Sequence, residues 1–466
     1  MEHKERDRQT DIYRIVLFST CGVRLLVVRK NGRFRLPELH VPRHRRIAES
    51  LTASLASEWA LRGICLFCFD STAEVGIHYE VMQSCDENLS PSERSAWLPV
   101  KSLEKSHFEE ASDFAAVTKI FAECRRDSEQ IEGPFARLGW FAELHEWVRA
   151  TAARNGLTLN GRFSQLNAAR AFNLIRFETN GPALWFKAVG EPNLREYPIT
   201  LTLSAYFPTF VPRILAIRPS CNGWLASGAD GTHPDERSPV AVWSRIAEKL
   251  AELQIASIGR TPDLVDAGCH DLRISSLQDS AEPFLERMAE LMERQTQTLP
   301  PPLSRKKLDV LKEQLKRSLS DLKATRIPDT LGHLDFNPSN ILVSQDHCVF
   351  LDWAEAYLGH PFLTLEYLLE QVRRIGSLDA SSRTQITSAY TFRWKNLFEP
   401  AEIGRSLACT PLVAVFLYAI SVDAWRDPVP SYRPEVAKLL RSLCRRMARE
   451  VDRLRNEVEA SVPCRN

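Results

Sequence analysis

The sequence predicts an α+β chain in which a compact α/β unit precedes a small strand-rich lobe and a larger helical lobe. Three observations carry that prediction. At 466 residues the chain exceeds one ordinary core, because a domain takes roughly one to two hundred residues. Short apolar runs with strand-like alternation crowd the stretch before residue 235, and helical periodicity takes over beyond it.

In the first unit, the runs Tyr13–Phe18 and Val23–Val28 read as strands, followed by a helix near Arg46 to Leu61. Further strands are expected at Ile64–Phe69 and Gly76–Met82, and Ala96–Val100 leads into a helix ending near Cys124. Residues 1–125 are therefore one expected domain, with the charged segment Met1–Asp11 mobile at its start. The charged stretch Arg125–Gly133 marks a boundary, and residues 126–156 are read as a linker and bridging helix. A strand-rich lobe is expected over 157–235. In it, Phe172–Glu178 and Ala183–Val189 flank Asn180-Gly181, a strong hairpin signal. Pro182 leaves the register open by one residue, because it cannot donate the closing hydrogen bond. Residues 236–466 are expected to be a helical lobe, with helices at Val240–Gln254, Pro283–Gln295, Lys307–Ala324 and Arg383–Leu397 and two more at the C-terminal end.

Composition narrows the function classes. Lys+Arg (60) and Asp+Glu (59) nearly cancel, so no global charge draws the chain to nucleic acid or an anionic membrane. Eleven cysteines lie scattered without the paired clusters of a structural zinc site. With no secretory signal read at the N-terminus, reduced thiols and a cytoplasmic location are expected. Cys65 and Cys68 form a CxxC, but in the apolar run Ile64–Phe69 they suit a buried strand better than redox chemistry. The longest apolar run, Leu412–Ile420, is about half of a bilayer span and reads as a buried helix.

The chemistry concentrates between His333 and Trp353. In His333-Leu-Asp-Phe-Asn-Pro-Ser-Asn340, Asp335 precedes Asn340 by five residues, a spacing that pairs a catalytic carboxylate with a metal-binding amide. Two short strands follow, Ile341–Val343 and Cys348–Leu351. A hairpin centred on Asp346 would set Asn340 opposite Asp352, joining an amide oxygen and a carboxylate as magnesium prefers. Transfer of a phosphoryl group needs such a set, together with a cation on the non-transferred phosphates. The competing reading is a polar loop in which Asp335 and Asn340 only cap turns. Lys187 is the candidate cation: alternation in Leu184–Val189 groups it with Trp185 and Val189, where it needs a partner or ligand or must snorkel to water.

The segment His333–Trp353 resembles the aminoglycoside phosphotransferase and choline kinase-like branch of the protein kinase-like superfamily, whose second motif ends in Asp-Trp. The resemblance implies a bilobal kinase-like phosphotransferase domain that uses Mg2+ and ATP or GTP on a small-molecule acceptor, a metabolite or an aminoglycoside. It implies Asp335 as catalytic base, His333 as brace of the loop, and Asn340 and Asp352 as metal ligands. Lys187 would grip the nucleotide phosphates and pair with a glutamate; Glu196 is the first choice, although Pro198 two residues on complicates a helix there, and Glu191 is the rival. Asn160–Asn167 stands where the family's phosphate-covering loop lies, but has one glycine and would use Arg162, Ser164 or backbone amides. Trp224–Gly228 falls at the interlobe hinge. In Gly359-His-Pro-Phe-Leu-Thr-Leu365, His360 and Thr364 replace two family aspartates. Glu355, Glu366 and Glu370 follow the metal motif, and could bind a cationic acceptor or form a solvated helix face.

The segment Val23–Pro37 resembles the opening of a Nudix domain. There the following helix carries metal-binding glutamates, and alignment on Gly63 puts Ser57, Ala60 and Leu61 at those positions. A Nudix-like fold without Nudix catalysis is expected, serving docking or substrate shaping. The alternative to an enzyme is a pseudokinase-like scaffold, favoured by the missing glycine loop and opposed by the complete Asp335, Asn340 and Asp352 set. Hydrolysis by the first domain would require carboxylates that the alignment does not find.

Overall fold

Alternating apolar residues build the first sheet. In the computed structural model, which describes residues 10–70, 78–86, 95–125, 132–376 and 378–461 with side chains to 456, seven strands share it. These are β1 (Thr10–Phe18), β2 (Arg24–Lys30), β3 (Arg33–Arg35), β4 (Glu38–Pro42), β5 (Gly63–Asp70), β6 (His78–Ser84) and β7 (Ser95–Pro99). Their order is β3-β2-β1-β6-β5, with β4 on β1 and β7 on β2, and β1 runs parallel to β6. The charged N-terminus, Gly76 and most of the boundary Arg125–Gly133 lie outside the described residues.

The chain divides into two compact units, Met1–Tyr197 with Arg213–Gly228 and Pro198–Pro212 with Ala229–Asn466. Helix Trp140–Arg154 shows why the first unit is so large. It buries Trp140, Phe141, Leu144 and Val148, at helical spacing, in one core with Phe18 and Leu66 of the first sheet and Phe177 and Phe186 of the second. The segment read as linker and bridging helix thus contributes a core helix, and residues 1–125 share a unit with the strand lobe.

The second sheet has order β11-β12-β10-β9-β8, from β8 (Leu159–Ala168), β9 (Asn173–Thr179), β10 (Leu184–Ala188), β11 (Ile214–Arg218) and β12 (Gly223–Ser227). The β9–β10 register pairs Leu184 with Phe177, which centres the turn on Asn180-Gly181. Pro182 has no N–H to close it. The Thr179 hydroxyl instead donates to the Pro182 carbonyl at 2.9 Å and accepts from Gly181 N–H at 2.9 Å. The stretch Asn160–Asn167 lies in β8 and is tied to the first sheet: buried Gln165 accepts from Cys65 N–H at 2.7 Å and donates to Cys65 O at 3.0 Å.

The second unit is mostly helical, with two cores. The helix expected from Pro283 begins nine residues earlier, at Ile274, and runs to Glu293. Its apolar face (Ile274, Leu277, Ala281, Phe284, Met288) is continuous, so packing overrides the helix-breaking tendency of Pro283. Helix Pro400–Ser421 contains the apolar run and is long and apolar enough to cross a membrane; 61% of that window is buried within the fold, in the core shared with helices Arg305–Lys323 and Pro434–Ser461.

Candidate active site

Strand β14 (Thr330–His333) carries the loop and pairs antiparallel with β17 (Ala356–Gly359), which also takes β13 (His270–Asp271) in parallel. Gly332 is needed here, because a Cβ at that position would stand 2.1 Å from the Tyr357 ring. The close approach lets Tyr357 reach Thr364, their hydroxyls 2.9 Å apart. Thr364 in turn accepts the His333 N–H at 3.3 Å. The Thr364 hydroxyl therefore ties the loop to helix Phe362–Arg374. His360, just before that helix, is buried, and burial holds its imidazole down at about 3.

The Asp335 carboxylate is held from both sides. Its Oδ1 accepts from Asn337 Nδ2 at 2.7 Å, and its Oδ2 accepts from Asn340 Nδ2 at 2.9 Å. Asn340 Nδ2 also donates to the Asp335 carbonyl at 2.9 Å, so both amide hydrogens are spent on one residue. Its carbonyl oxygen, a hard acceptor, is the atom left for a cation. His333 Nδ1 accepts the Asp335 N–H at 3.1 Å, which makes Nε2, 3.0 Å from Leu351 O, the protonated nitrogen. His333 thereby links the loop to the residue before Asp352.

Strands β15 (Ile341–Val343) and β16 (Cys348–Phe350) form the expected hairpin, but the register is shifted by one residue. Ile341 pairs with Phe350, and Asn340 therefore stands opposite Leu351, whose N–H donates to Asn340 O at 2.8 Å. The turn is four residues, Ser344–His347, closed by Ser344 N–H on His347 O at 3.0 Å and His347 N–H on the Ser344 hydroxyl at 3.1 Å. A one-residue slip exchanges the two faces of a strand. Asp352 lies beyond the ladder in the left-handed region, φ 62° and ψ 66°, a conformation a non-glycine residue adopts at a cost of order 1–3 kcal/mol. It is solvent-exposed.

Burial, with the charges of Asp335 and Asp352, pushes the Glu355 carboxyl up. These three carboxylates thus share one electrostatic neighbourhood. Among the described residues no three His, Cys, Asp or Glu side chains group as a protein-only metal cage. An amide oxygen beside exposed carboxylates nonetheless suits magnesium, which keeps waters and takes phosphate oxygens.

In the first unit, Lys187 sits on β10 between Trp224 of β12 and Leu174 of β9. Its ammonium lies 2.5 Å from Glu196 Oε1, and the Glu196 side chain is 2% exposed. Glu196 opens helix Glu196–Tyr206, so Pro198 falls in the first turn, where its missing N–H would have had no intrahelical partner. The rival Glu191 is exposed. Helix Ile47–Trp59 stops with Ala60 in a left-handed conformation, so Ala60 and Leu61 lie beyond the helix that was expected to include them. The CxxC pair is split: Cys65 is buried and Cys68 exposed.

Glu366 and Glu370 do not form a solvated face. Glu366 takes both oxygens to Arg383 at 2.9 Å, and Glu370 pairs with Arg373, Arg374 and Arg446. Burial raises the Glu370 carboxyl, but the arginine hydrogen bonds outweigh it and hold the group down at about 2. Sequence reasoning missed these arginines, and it also missed Asn337 and the bracing role of Thr364. The spacing of Arg446, Arg449 and Arg453 along the last helix was the available signal.

Comparison with known proteins places residues 199–390 in the sequence model described as the phosphotransferase enzyme family. The span includes His333, Asp335, Asn340 and Asp352 and begins after Lys187 and Glu196. No curated protein matches. Solved structures with similarity include the macrolide 2'-phosphotransferase MphH of Brachybacterium faecium (17% identity, TM-score 0.40, covering 62% of this chain and 97% of that one). A choline kinase from Cryptosporidium parvum Iowa II matches at 11% identity and TM-score 0.46, covering 67% and 97%. The GDP and kanamycin complex of APH(2")-IIia matches at 16% identity and TM-score 0.40, covering 68% and 100%. Residues 199–390 thus match the phosphotransferase enzyme family, within a mixed α+β chain.

Proposed function

We propose that this protein transfers the γ-phosphoryl group of ATP or GTP to a hydroxyl of a small metabolite or aminoglycoside-like acceptor, with Asp335 as catalytic base. The observation that carries this reading is the half-buried Asp335 carboxylate, clamped by Asn337 and Asn340 in the segment matched to the family. Such a carboxylate can orient an acceptor hydroxyl and take its proton as the oxygen attacks phosphorus. His333 keeps the loop backbone in place. Asn340 and Asp352 would hold magnesium, which when bound neutralises charge on the phosphates. Lys187, positioned by Glu196, would bind the non-transferred phosphates.

In this reading residues 1–125 are a Nudix-like, non-catalytic part of the first unit, joined through the core helix within 126–156 to an N-lobe to 235 and a helical C-lobe. A cytoplasmic location with reduced thiols belongs to this proposal. Nucleic acid and membrane play no part in this reading. A binding scaffold is the second reading, favoured by the docking of Gln165 in the segment that was expected to cover phosphates.

Asp335→Ala tests the assignment. Transfer should fall by about 100-fold to 10,000-fold, while Mg-ATP or Mg-GTP still raises the melting temperature of both wild type and variant. Unchanged turnover in the variant would refute the base. Absence of nucleotide stabilisation in the wild type would support the scaffold.

A further inference from the structure

A cavity of about 460 Å³ opens in the second unit next to the catalytic loop, with His333 and Leu334 in its wall. Its volume suits a small molecule. Tyr367 also lines it, and burial together with the Asp335 charge pushes that phenol up, so the cavity and the carboxylate feel each other.

The wall is unevenly charged. Arg373, Arg374, Arg383, Arg446, Arg449 and Arg453 line it against Glu366, Glu370 and Glu450, which leaves a surplus of three positive charges. The glutamates are already engaged: Glu366 with Arg383, Glu370 with Arg373, Arg374 and Arg446, and Glu450 with Arg453. A polycation would have to displace these pairs and meet six guanidinium groups. An anion meets planar donor forks held in place by the glutamates, the arrangement arginine offers to phosphate and carboxylate. Three of the arginines, at 446, 449 and 453, come from one face of helix Pro434–Ser461, so the surplus belongs to a built surface.

We propose that the acceptor is an anion, a hydroxylated small molecule carrying a phosphate or carboxylate group that this arginine wall holds. The inference rests on the phosphotransfer reading above. In the transfer, the acceptor's hydroxyl oxygen bonds to the γ-phosphorus as the bond to the nucleoside diphosphate breaks. The proton passes to Asp335.

The test uses the full-length protein and matched sets of acceptors: glucose, glucosamine, gluconate and glucose 6-phosphate, and glycerol, ethanolamine, glycerate and glycerol phosphate. Binding is read by calorimetry and transfer by nucleotide consumption with Mg-ATP and with Mg-GTP. At least one anionic member of a set should bind ten-fold or more tightly than its neutral and amino partners, and the carboxylate and phosphate arms tell which anion is preferred. Arg446→Gln and Arg449→Gln should each raise KM for that anion several-fold with kcat within two-fold. Arg449 has no carboxylate partner among the described residues, so its replacement disturbs no ion pair. Preferred binding of the amino members, absence of anion binding, or unchanged anion KM in both variants would overturn the inference. Transfer preferring amino acceptors would overturn it while leaving phosphotransfer standing. Anion binding without transfer to any acceptor would overturn phosphotransfer and keep the cavity's preference.

Discussion

The loop from His333 to Asn340 and the arginine-lined cavity share residues His333 and Leu334 but follow opposite rules. In the loop, polar atoms are matched: the Asp335 oxygens, the Asn340 amide hydrogens and both His333 ring nitrogens have identified partners. In the cavity, six arginines face three glutamates and the charges do not balance. A closed hydrogen-bond network holds a reacting group in one geometry. Unbalanced charge in a concave wall leaves interaction energy for a ligand of opposite sign. The difference teaches that, in the proposed phosphotransfer, the loop would specify the reaction and the cavity would select what enters it.

Breaking the loop should cost most. Asn340→Ala removes both hydrogen bonds to Asp335 and the amide oxygen assigned to the metal; kcat is expected to fall by about 100-fold to 1,000-fold, measured in steady state with saturating Mg-nucleotide. The loss should exceed that of any single cavity arginine. If Asn340→Ala costs less than Arg446→Gln, the division between the regions fails.

The packing behind the loop offers a pH test. The folded His360 imidazole is held down at about 3 by burial, whereas an unfolded histidine titrates near 6.5. The unfolded chain therefore binds the extra proton first. Stability from this group is complete above about 6.5 and is lost as pH falls toward 3, at up to about 1.4 kcal/mol per pH unit. Urea unfolding between these limits should show that decline, and His360→Leu should flatten it. An unchanged slope in the variant would show that other groups set the acid sensitivity.

The smallest effect sharpens the cavity side. Glu370→Gln should raise the surplus to four charges and tighten binding of an anionic acceptor by two-fold to five-fold, roughly the scale of one partly exposed charge. The ordinary expectation for a binding-site substitution is weaker binding. A loss of anion affinity would mean that Glu370 acts chiefly by aiming its three arginines.

Much of this architecture was legible in the residues. Two hairpins show how far. Around Asn180-Gly181 the turn chemistry is strong enough to centre the register, even with Pro182 present. Around Ser344–His347 no such dipeptide exists; two local hydrogen bonds set a four-residue turn, and the pairing shifts by one. The residue types at the site survive that shift, but Asp352 reaches its place through a left-handed backbone that alternation could not foresee. Lys187 was readable as a lysine in an apolar strand. Its pairing with Glu196 depended on where the helix begins, because a proline two residues later is tolerated only in a first turn.

The sequence by itself determined the order of strand-rich and helical regions and the residue types and spacing of the loop from His333 to Asp352. Those are local properties, set by neighbours a few positions apart. Only the tertiary structure decided the charge of the cavity, because its arginines and glutamates come from three helices between positions 366 and 453. Balance between charges depends on distance in space, and a chain whose positive and negative residues number 60 and 59 overall gives no hint of it. The same holds for the core formed by helix Trp140–Arg154, where apolar spacing predicts a buried face and the fold chooses what covers it.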